Sequence, residues 1–180
     1  MVKVLYIARH AKAEGQEPEA TLTSDGRAEA VRLAQAFATS GIDRIVTSTF
    51  RRAIESIEPL ARHLGLPVET DERLNEANLS GINYPDWPLK LAATFDDDDL
   101  SYEGGESSRV ATLRAKAAIE SVLESPTRTP VVVTHGRLMT LLLRSYDRRF
   151  GFATWRDLSC PDLYKITLSE STRPEVVRVW

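Results

Sequence analysis

Two stretches of the chain are apolar without alternation, and they restrict its fold more than any other feature. Val2-Lys3-Val4-Leu5-Tyr6-Ile7-Ala8 is short, rich in β-formers and nearly continuous in apolarity, and Pro130-Val131-Val132-Val133-Thr134 reads the same way. A strand with one solvated face alternates polar with apolar residues, so strands like these are buried on both faces and need helices above and below the sheet. The helices are legible too. From Thr23-Ser24-Asp25-Gly26 onward, Ala30, Leu33, Ala34, Phe37 and Ala38 recur at helical spacing until Gly41, which predicts a helix of about four turns capped by Ser or Thr and stopped by Gly. Asp43 to Thr47 reads as another short strand. Phe50, Ala53, Ile54, Ile57, Leu60, Ala61 and Leu64 then draw an apolar stripe ending at Gly65, within which Pro59 is expected to kink or break the helix.

A third long helix fits residues 107–124, with Val110, Leu113, Ala117 or Ala118, and Val122 on one face. Leu138, Leu141, Leu142 and Ser145 place a further helix directly behind the 130–134 strand. Leu163 to Leu168 and Glu175 to Trp180 alternate around Ser-Glu-Ser-Thr-Arg-Pro, as an antiparallel hairpin at a sheet edge would. Val176, Val177, Val179 and Trp180 on that hairpin either pair across a homodimer or close the sheet. Strand then helix, repeated, predicts a three-layer α/β/α sandwich with a mostly parallel central sheet and an antiparallel edge. The 180 residues fit one domain, 1–180. Residues 66–108, with Pro67, Pro85, Pro88, the run Asp96 to Asp99 and Gly104-Gly105, form a long excursion with short helices at most, expected to cap the substrate.

Composition narrows the function. With 42% apolar and 27% charged residues the chain is a globular protein, and its 23 Lys and Arg against 26 Asp and Glu give a net charge of −3. No global positive field exists to hold nucleic acid or an anionic membrane, so an anionic ligand must be caught by a local cluster. The single cysteine, Cys160, forms no internal disulfide and no cysteine-based zinc site, and reads as a small buried or partly buried hydrophobe in a reducing compartment. The first apolar run is far too short to span a membrane and lacks a cleavage site, so a cytoplasmic location is expected.

In open α/β sheets ligands bind beyond the carboxyl ends of the strands. Arg9-His10 ends the first strand, Thr47-Ser48 with Arg51-Arg52 follows the second, and His135-Gly136 ends the strand at Thr134. Two of the three histidines and two or three arginines therefore project from one edge of the sheet. Packing does not require that arrangement, but an oxyanion does. Guanidinium forks and helix N-termini hold phosphate oxygens. A histidine beside those cations is favoured as neutral imidazole, able to attack phosphorus and carry the phosphoryl group. The leaving alkoxide needs a proton, and Arg73-Leu74-Asn75-Glu76 offers a carboxylic acid. His63, on an amphipathic helix beside Arg62, reads as structural, Arg51 more readily than Arg52 as a solvated helix residue, and Asp96 to Asp99 as a solvated loop with metal binding left open.

These residues resemble the histidine phosphatase superfamily, the fold shared by cofactor-dependent phosphoglycerate mutases, fructose-2,6-bisphosphatase and many small broad-specificity phosphatases. Leu5 to Ala11 resembles the strand and Arg-His-Gly motif, with Ala11 for the usual glycine. Leu22-Thr23-Ser24-Asp25-Gly26 resembles the Leu-Thr-x-x-Gly helix start, and Thr47-Ser48-Thr49-Phe50-Arg51-Arg52-Ala53 resembles Thr-Ser-x-Leu-x-Arg-Ala, which selects Arg52 over Arg51. Arg73 to Glu76 with Gly81 resembles the segment bearing the proton donor, Gly105-Glu106-Ser107 the stretch before the later helix, and Val131 to Gly136 the second-histidine motif.

The resemblance implies that His10 is the nucleophile, that Arg9, Arg52 and His135 hold the phosphoryl group, and that Glu76 is acid for the leaving group and then base for water. It places Gly136, Gln16 and Thr23 against the substrate and implies no metal and no cofactor. Lys12 replaces the acidic residue common after the motif, and Gln16 stands where many members have asparagine, so the substrate rim departs from the pattern. The expected activity is metal-independent hydrolysis of a small phosphorylated metabolite. The alternatives are a phosphoglycerate mutase, disfavoured because 180 residues leave little for an enclosing lid; a protein phosphohistidine phosphatase, suggested by Arg-His-Ala-Lys but not by Glu76; and a module that binds phosphorylated ligands without turnover.

Overall fold

The computed structural model describes residues 2–169 and 171–180. Its centre is a sheet of six strands: β1 (Val2–Arg9), β2 (Arg44–Thr47), β3 (Val68–Thr70), β4 (Pro130–Thr134), β5 (Asp162–Ser169) and β6 (Glu175–Arg178), in the order β3-β2-β4-β1-β5-β6. The four strands from β3 to β1 run parallel, and β5 joins β1 antiparallel with β6 antiparallel to it. The mostly parallel sheet with an antiparallel edge is as expected. Of the hairpin turn between β5 and β6, Glu170 lies outside the described residues.

The absence of alternation in β1 and β4 is explained by the two layers they serve. Leu5, Ile7 and Val132 point to one face, against α4 (Ser108–Glu124) and α5 (Gly136–Tyr146); Tyr6, Ala8, Val131 and Val133 point to the other, against α1 (Ser24–Ala36) and α2 (Arg51–Leu64). Val131, Val132 and Val133 have no exposed surface at all. Each such side chain contributes roughly 1.5–3 kcal/mol from burial.

Several local expectations change. α2 runs unbroken through Pro59, because Ala53, Ile57, Leu60 and Ala61 on either side of it are anchored in the core and outweigh one missing backbone bond. α4 buries Ala111, Ala115, Ala118, Ile119 and Val122, whereas Val110 and Leu113 are 54% and 62% exposed. The small residues form the contact face because they let α4 lie close along α5. The excursion holds more structure than expected: β3, a 3-10 turn at Glu72–Leu74, and the ten-residue α3 (Trp87–Asp96). A short α6 (Phe152–Asp157) precedes β5.

The aspartate run is not simply solvated. Asp98 pairs with Arg144 of α5 at 3.2 Å and with Arg148 at 3.7 Å, and Asp99 pairs with Arg109 of α4, so the run ties three helices together. No helix among the described residues is long and apolar enough to cross a membrane.

Candidate active site

Parallel pairing brings the carboxyl ends of β1, β4 and β2 to one edge, with Arg9 opposite Thr134 and Thr47 opposite Val133. The next residue of each strand is then fixed by backbone: the His10 N–H donates to the Thr134 carbonyl and the Ser48 N–H to the Val133 carbonyl, both at 3.0 Å. α2 and α5 begin at once, so Arg52 occupies the first turn of one helix and Gly136 opens the other.

His10 Nδ1 lies 2.7 Å from the Ala11 carbonyl oxygen. A carbonyl can only accept, so the proton sits on Nδ1 and Nε2 is bare. Arg52 Nε–H approaches that bare nitrogen at 3.3 Å. The Arg52 side chain is 1% exposed, anchored by Nη1 to the carbonyls of Gln16 (3.0 Å) and Glu17 (2.9 Å), with its guanidinium 4.9 Å from the centre of the Phe50 ring. Arg9 donates from Nη1 to the carbonyls of Leu158 and Ser159 at 3.3 and 3.2 Å, leaving its buried Nε without a partner among the described residues. His135 completes the cluster, with its ring centre 5.0 Å from that of His10 and Nε2 2.7 Å from Ser48 Oγ.

Gly136 leaves room where Arg9 crosses the start of α5. A Cβ there would meet the Trp155 indole nitrogen at 3.3 Å and the Arg9 guanidinium at 3.4 Å, tighter than ordinary contact.

Burial controls the protonation of both histidines. It holds His10 down to about 3, with the charges of Arg52 and Arg9 adding to the effect and the bond to Ala11 opposing it. His135 is pushed well below its ordinary value by burial first, then by His10, Arg52 and Arg9. Both are therefore neutral imidazoles at neutral pH.

Glu76 owes its place to a helix terminus. α5 has no side-chain cap from its own N-cap residue, so the free N–H groups of Arg137 and Leu138 donate to the Glu76 carboxylate at 3.1 and 2.9 Å, joined by the Ala77 N–H at 2.8 Å. The loop around it is held by two arginines. Arg114 donates to the carbonyls of Arg73, Asn75 and Glu76, and Arg137 to those of Ala77, Asn78 and Glu106.

Arg9, His10, Arg52, Glu76 and Gly136 border a cavity of about 830 Å³, whose lining also includes Leu79, Trp87, Leu91 and Trp155. A charge-bearing nucleophile cradle at one end and a carboxylic acid on the wall can together cleave an ester of an oxyanion.

Of the residues singled out in the sequence, Arg9, His10, Gln16, Arg52, Glu76 and Gly136 line this cavity, and His135 stands directly behind His10. Thr23 does not: its hydroxyl accepts from the Gly26 N–H at 2.9 Å and donates to the Lys12 carbonyl, so it caps α1 instead of facing the cavity. Arg51 points away to Glu55, and His63 is exposed on the last turn of α2. Cys160 is half-buried as expected, with burial pushing its thiol up, but it also lines the cavity. Sequence reading missed Trp155, which arrives on α6, and missed the partners of His135. Ser48 and Asn75 stand inside quoted motifs, yet nothing in their spacing reveals that they touch.

The chain belongs to the histidine phosphatase superfamily, branch 1, whose family model matches residues 5–178. A Yersinia enterocolitica protein named "Probable phosphoglycerate mutase GpmB" is 29% identical over 158 residues, covering 77% of this chain and 72% of the relative. Among solved structures, one named mycobacterial hydrolase 1 superposes with a TM-score of 0.80 at 25% identity, covering 100% of this chain and 98% of that one. A mycobacterial glucosyl-3-phosphoglycerate phosphatase in complex with inorganic phosphate superposes with a TM-score of 0.75 at 26% identity, covering 99% and 96%.

Proposed function

We propose that this protein is a phosphatase that hydrolyses small-molecule phosphomonoesters through a phosphohistidine on His10. The observation that carries this reading is the state of His10: its proton is pinned on Nδ1 by Ala11, and its bare Nε2 lies beside the guanidiniums of Arg52 and Arg9. A neutral nucleophile with its lone pair at the mouth of a cationic cradle needs no prior deprotonation. His10 Nε2 forms a bond to phosphorus as the ester oxygen leaves with a proton from Glu76. Water then attacks the phosphohistidine, Glu76 takes its proton, and phosphate leaves with the His10 lone pair restored. Arg9, Arg52 and His135 stabilise the charge on the transferring group, and no step calls for a metal.

Incubation with a labelled phosphoester followed by quenching should trap an acid-labile, base-stable phosphoenzyme that is lost in His10→Ala and unaffected by EDTA. If none forms while substrate is consumed, the mechanism is wrong. The mutase reading shares this intermediate and is favoured by the name of the Yersinia relative. It is separated by assaying isomerisation of phosphoglycerate with and without bisphosphoglycerate, where release of inorganic phosphate alone is the expected result.

A further inference from the structure

Behind the cradle lies a hydrogen-bond chain whose direction can be worked out atom by atom. Asn75 Oδ1 accepts from the Thr49 backbone N–H at 2.9 Å, and since that group can only donate, the oxygen of the amide is the atom facing Thr49 and Ser48. Ser48 Oγ, fully buried, has three polar neighbours: Asn75 Oδ1 at 2.8 Å, the Phe50 N–H at 3.1 Å and His135 Nε2 at 2.7 Å. A hydroxyl has one proton. If Ser48 gave it to His135, two oxygens carrying only lone pairs would face each other at 2.8 Å in a half-buried site, even though Asn75 Oδ1 also accepts from the Thr49 hydroxyl at 2.9 Å. With the proton given to Asn75, all three contacts are satisfied, and Ser48 accepts from Phe50 and from a protonated His135 Nε2. His135 is then the opposite tautomer to His10, with Nδ1 bare, buried and unpartnered among the described residues.

We infer that Ser48 and Asn75 are positioning residues that lock His135 in its Nε2–H form, so that an oxyanion can be held by His135 only after Nδ1 takes up a proton from solvent. The inference rests on the phosphoryl reading of the site. With Nε2 committed to Ser48, Nδ1 is the nitrogen left for the ligand, and a bare nitrogen repels a dianion. The titratable and charged groups around this ring are Arg9 at the end of β1, His10 just after it, Arg52 on α2, Arg114 on α4, and Glu76 of the excursion, which caps the start of α5. In the unliganded site burial first, and then the charges of His10, Arg52, Arg9 and Arg114, keep His135 neutral; a bound dianion opposes those charges and draws in the proton. The imidazolium then donates Nδ1–H to the oxyanion and Nε2–H to Ser48, so proton uptake and ligand binding are one event.

Sulfate tests this cleanly, because it is a full dianion at neutral pH and any proton taken up goes to the protein. Calorimetric titration of the full chain with sulfate, in buffers of different ionisation enthalpy at pH 7.5, should show uptake of about one proton, and sulfate affinity should fall about tenfold per pH unit. Histidine ¹⁵N spectra of the unliganded protein should show Nε2–H for His135 and Nδ1–H for His10. In Asn75→Ala, Ser48 is free to turn its hydroxyl to Nε2, His135 becomes neutral Nδ1–H, and sulfate should bind with proton uptake near zero. A purely structural role for Asn75 would weaken binding and leave the proton count unchanged. Sulfate bound by the natural protein without uptake, or an Nδ1–H signal from His135, would overturn this inference alone. Sulfate that fails to bind at all would overturn the phosphoryl reading beneath it.

Discussion

The two ends of the cavity are built by different parts of the chain and from opposite chemistry. At one end Arg9, His10, Arg52 and Gly136, backed by His135, come from three adjacent strand ends and the first turns of two helices, all anchored to backbone. Leu79, Trp87 and Leu91 come from the excursion and give the cavity an apolar wall, which Trp155 of α6 joins to the cradle, its indole nitrogen beside Gly136 and Arg9. The remaining cations there have partners of unequal strength: an exposed ion pair for Lys12 and backbone carbonyls for Arg137. Lys12 pairs with Asp25 at the rim at 3.5 Å, and both terminal nitrogens of Arg137 are bound to carbonyls. The sheet fixes the chemistry of one end, and the segments laid over its edge choose what may be attached to the phosphoryl group. Rigid strand termini suit the first task and variable connections the second.

The largest effect should come from the cradle. Arg52→Ala removes a buried guanidinium that lies against His10, the nucleophile proposed above, and kcat/KM should fall about 10³-fold or more, the scale of an arginine on a transferring phosphoryl group. The loss should be equal for every substrate, since this end meets only the phosphoryl group. A loss that varied with the leaving group would dissolve the division between the two ends.

Glu76 stands between them, and its variant should behave accordingly. Glu76→Gln should cost about 10²- to 10³-fold on alkyl phosphates, whose leaving alkoxide needs a proton, and about tenfold or less on an aryl phosphate with an acidic phenol. Equal losses on both would show that Glu76 serves α5 as a cap and not the ester oxygen as an acid.

The cradle also affects stability. His10 is held down to about 3 and His135 lies well below its ordinary value, while both titrate normally near 6.5 in the unfolded chain. Below pH 6.5 the unfolded state binds protons that the folded state refuses, so stability falls as pH falls toward the folded value. His10 should remove about 1.4 kcal/mol per pH unit between roughly pH 6 and 4, and His135 adds to the loss in the same direction below about pH 6.5. Chemical denaturation across that range should show the slope, made shallower in His135→Asn. The apolar end has no such groups and should add nothing.

The same division decided what the sequence disclosed. Arg9 ends β1, His10, Ser48 and His135 each follow directly on a strand, and Gly136 comes one residue later, so locating the strands located them. Thr23 lies far from any strand end, immediately before α1, and serves as its cap. Trp155 lies 20 residues beyond His135, and only the fold of α6 brings its indole against Gly136. β3 is three residues long with one of them half-buried, too little for a pattern. The face of α4 was misjudged because its alanines pack while larger Val110 and Leu113 stay exposed, and size alone does not say which side meets α5. The tautomer of His135 was beyond reach altogether, since it depends on where one hydroxyl proton points.

The smallest effect should separate the two ends most sharply. Trp87 is 45% exposed and meets Trp155 edge to face at 5.9 Å, while Phe152 stacks on Trp155 at 5.4 Å, so the apolar end is an aromatic wall with one movable outer member. A ring-bearing leaving group without a second charge fits it better than a short acid such as phosphoglycerate, which would set a carboxylate against indole and leucine with no unpaired cation near. Trp87→Ala should raise KM about five- to tenfold for p-nitrophenyl phosphate, about 1 kcal/mol of lost aromatic contact, and leave kcat unchanged. Glycerol phosphate, which has no ring to set against Trp87, should be turned over as before. If both substrates suffer alike, Trp87 shapes the whole cavity and the apolar end has no selectivity of its own; if phosphoglycerate is preferred from the start, its carboxylate is met by Lys12 released from Asp25, and Lys12→Ala should then abolish that preference.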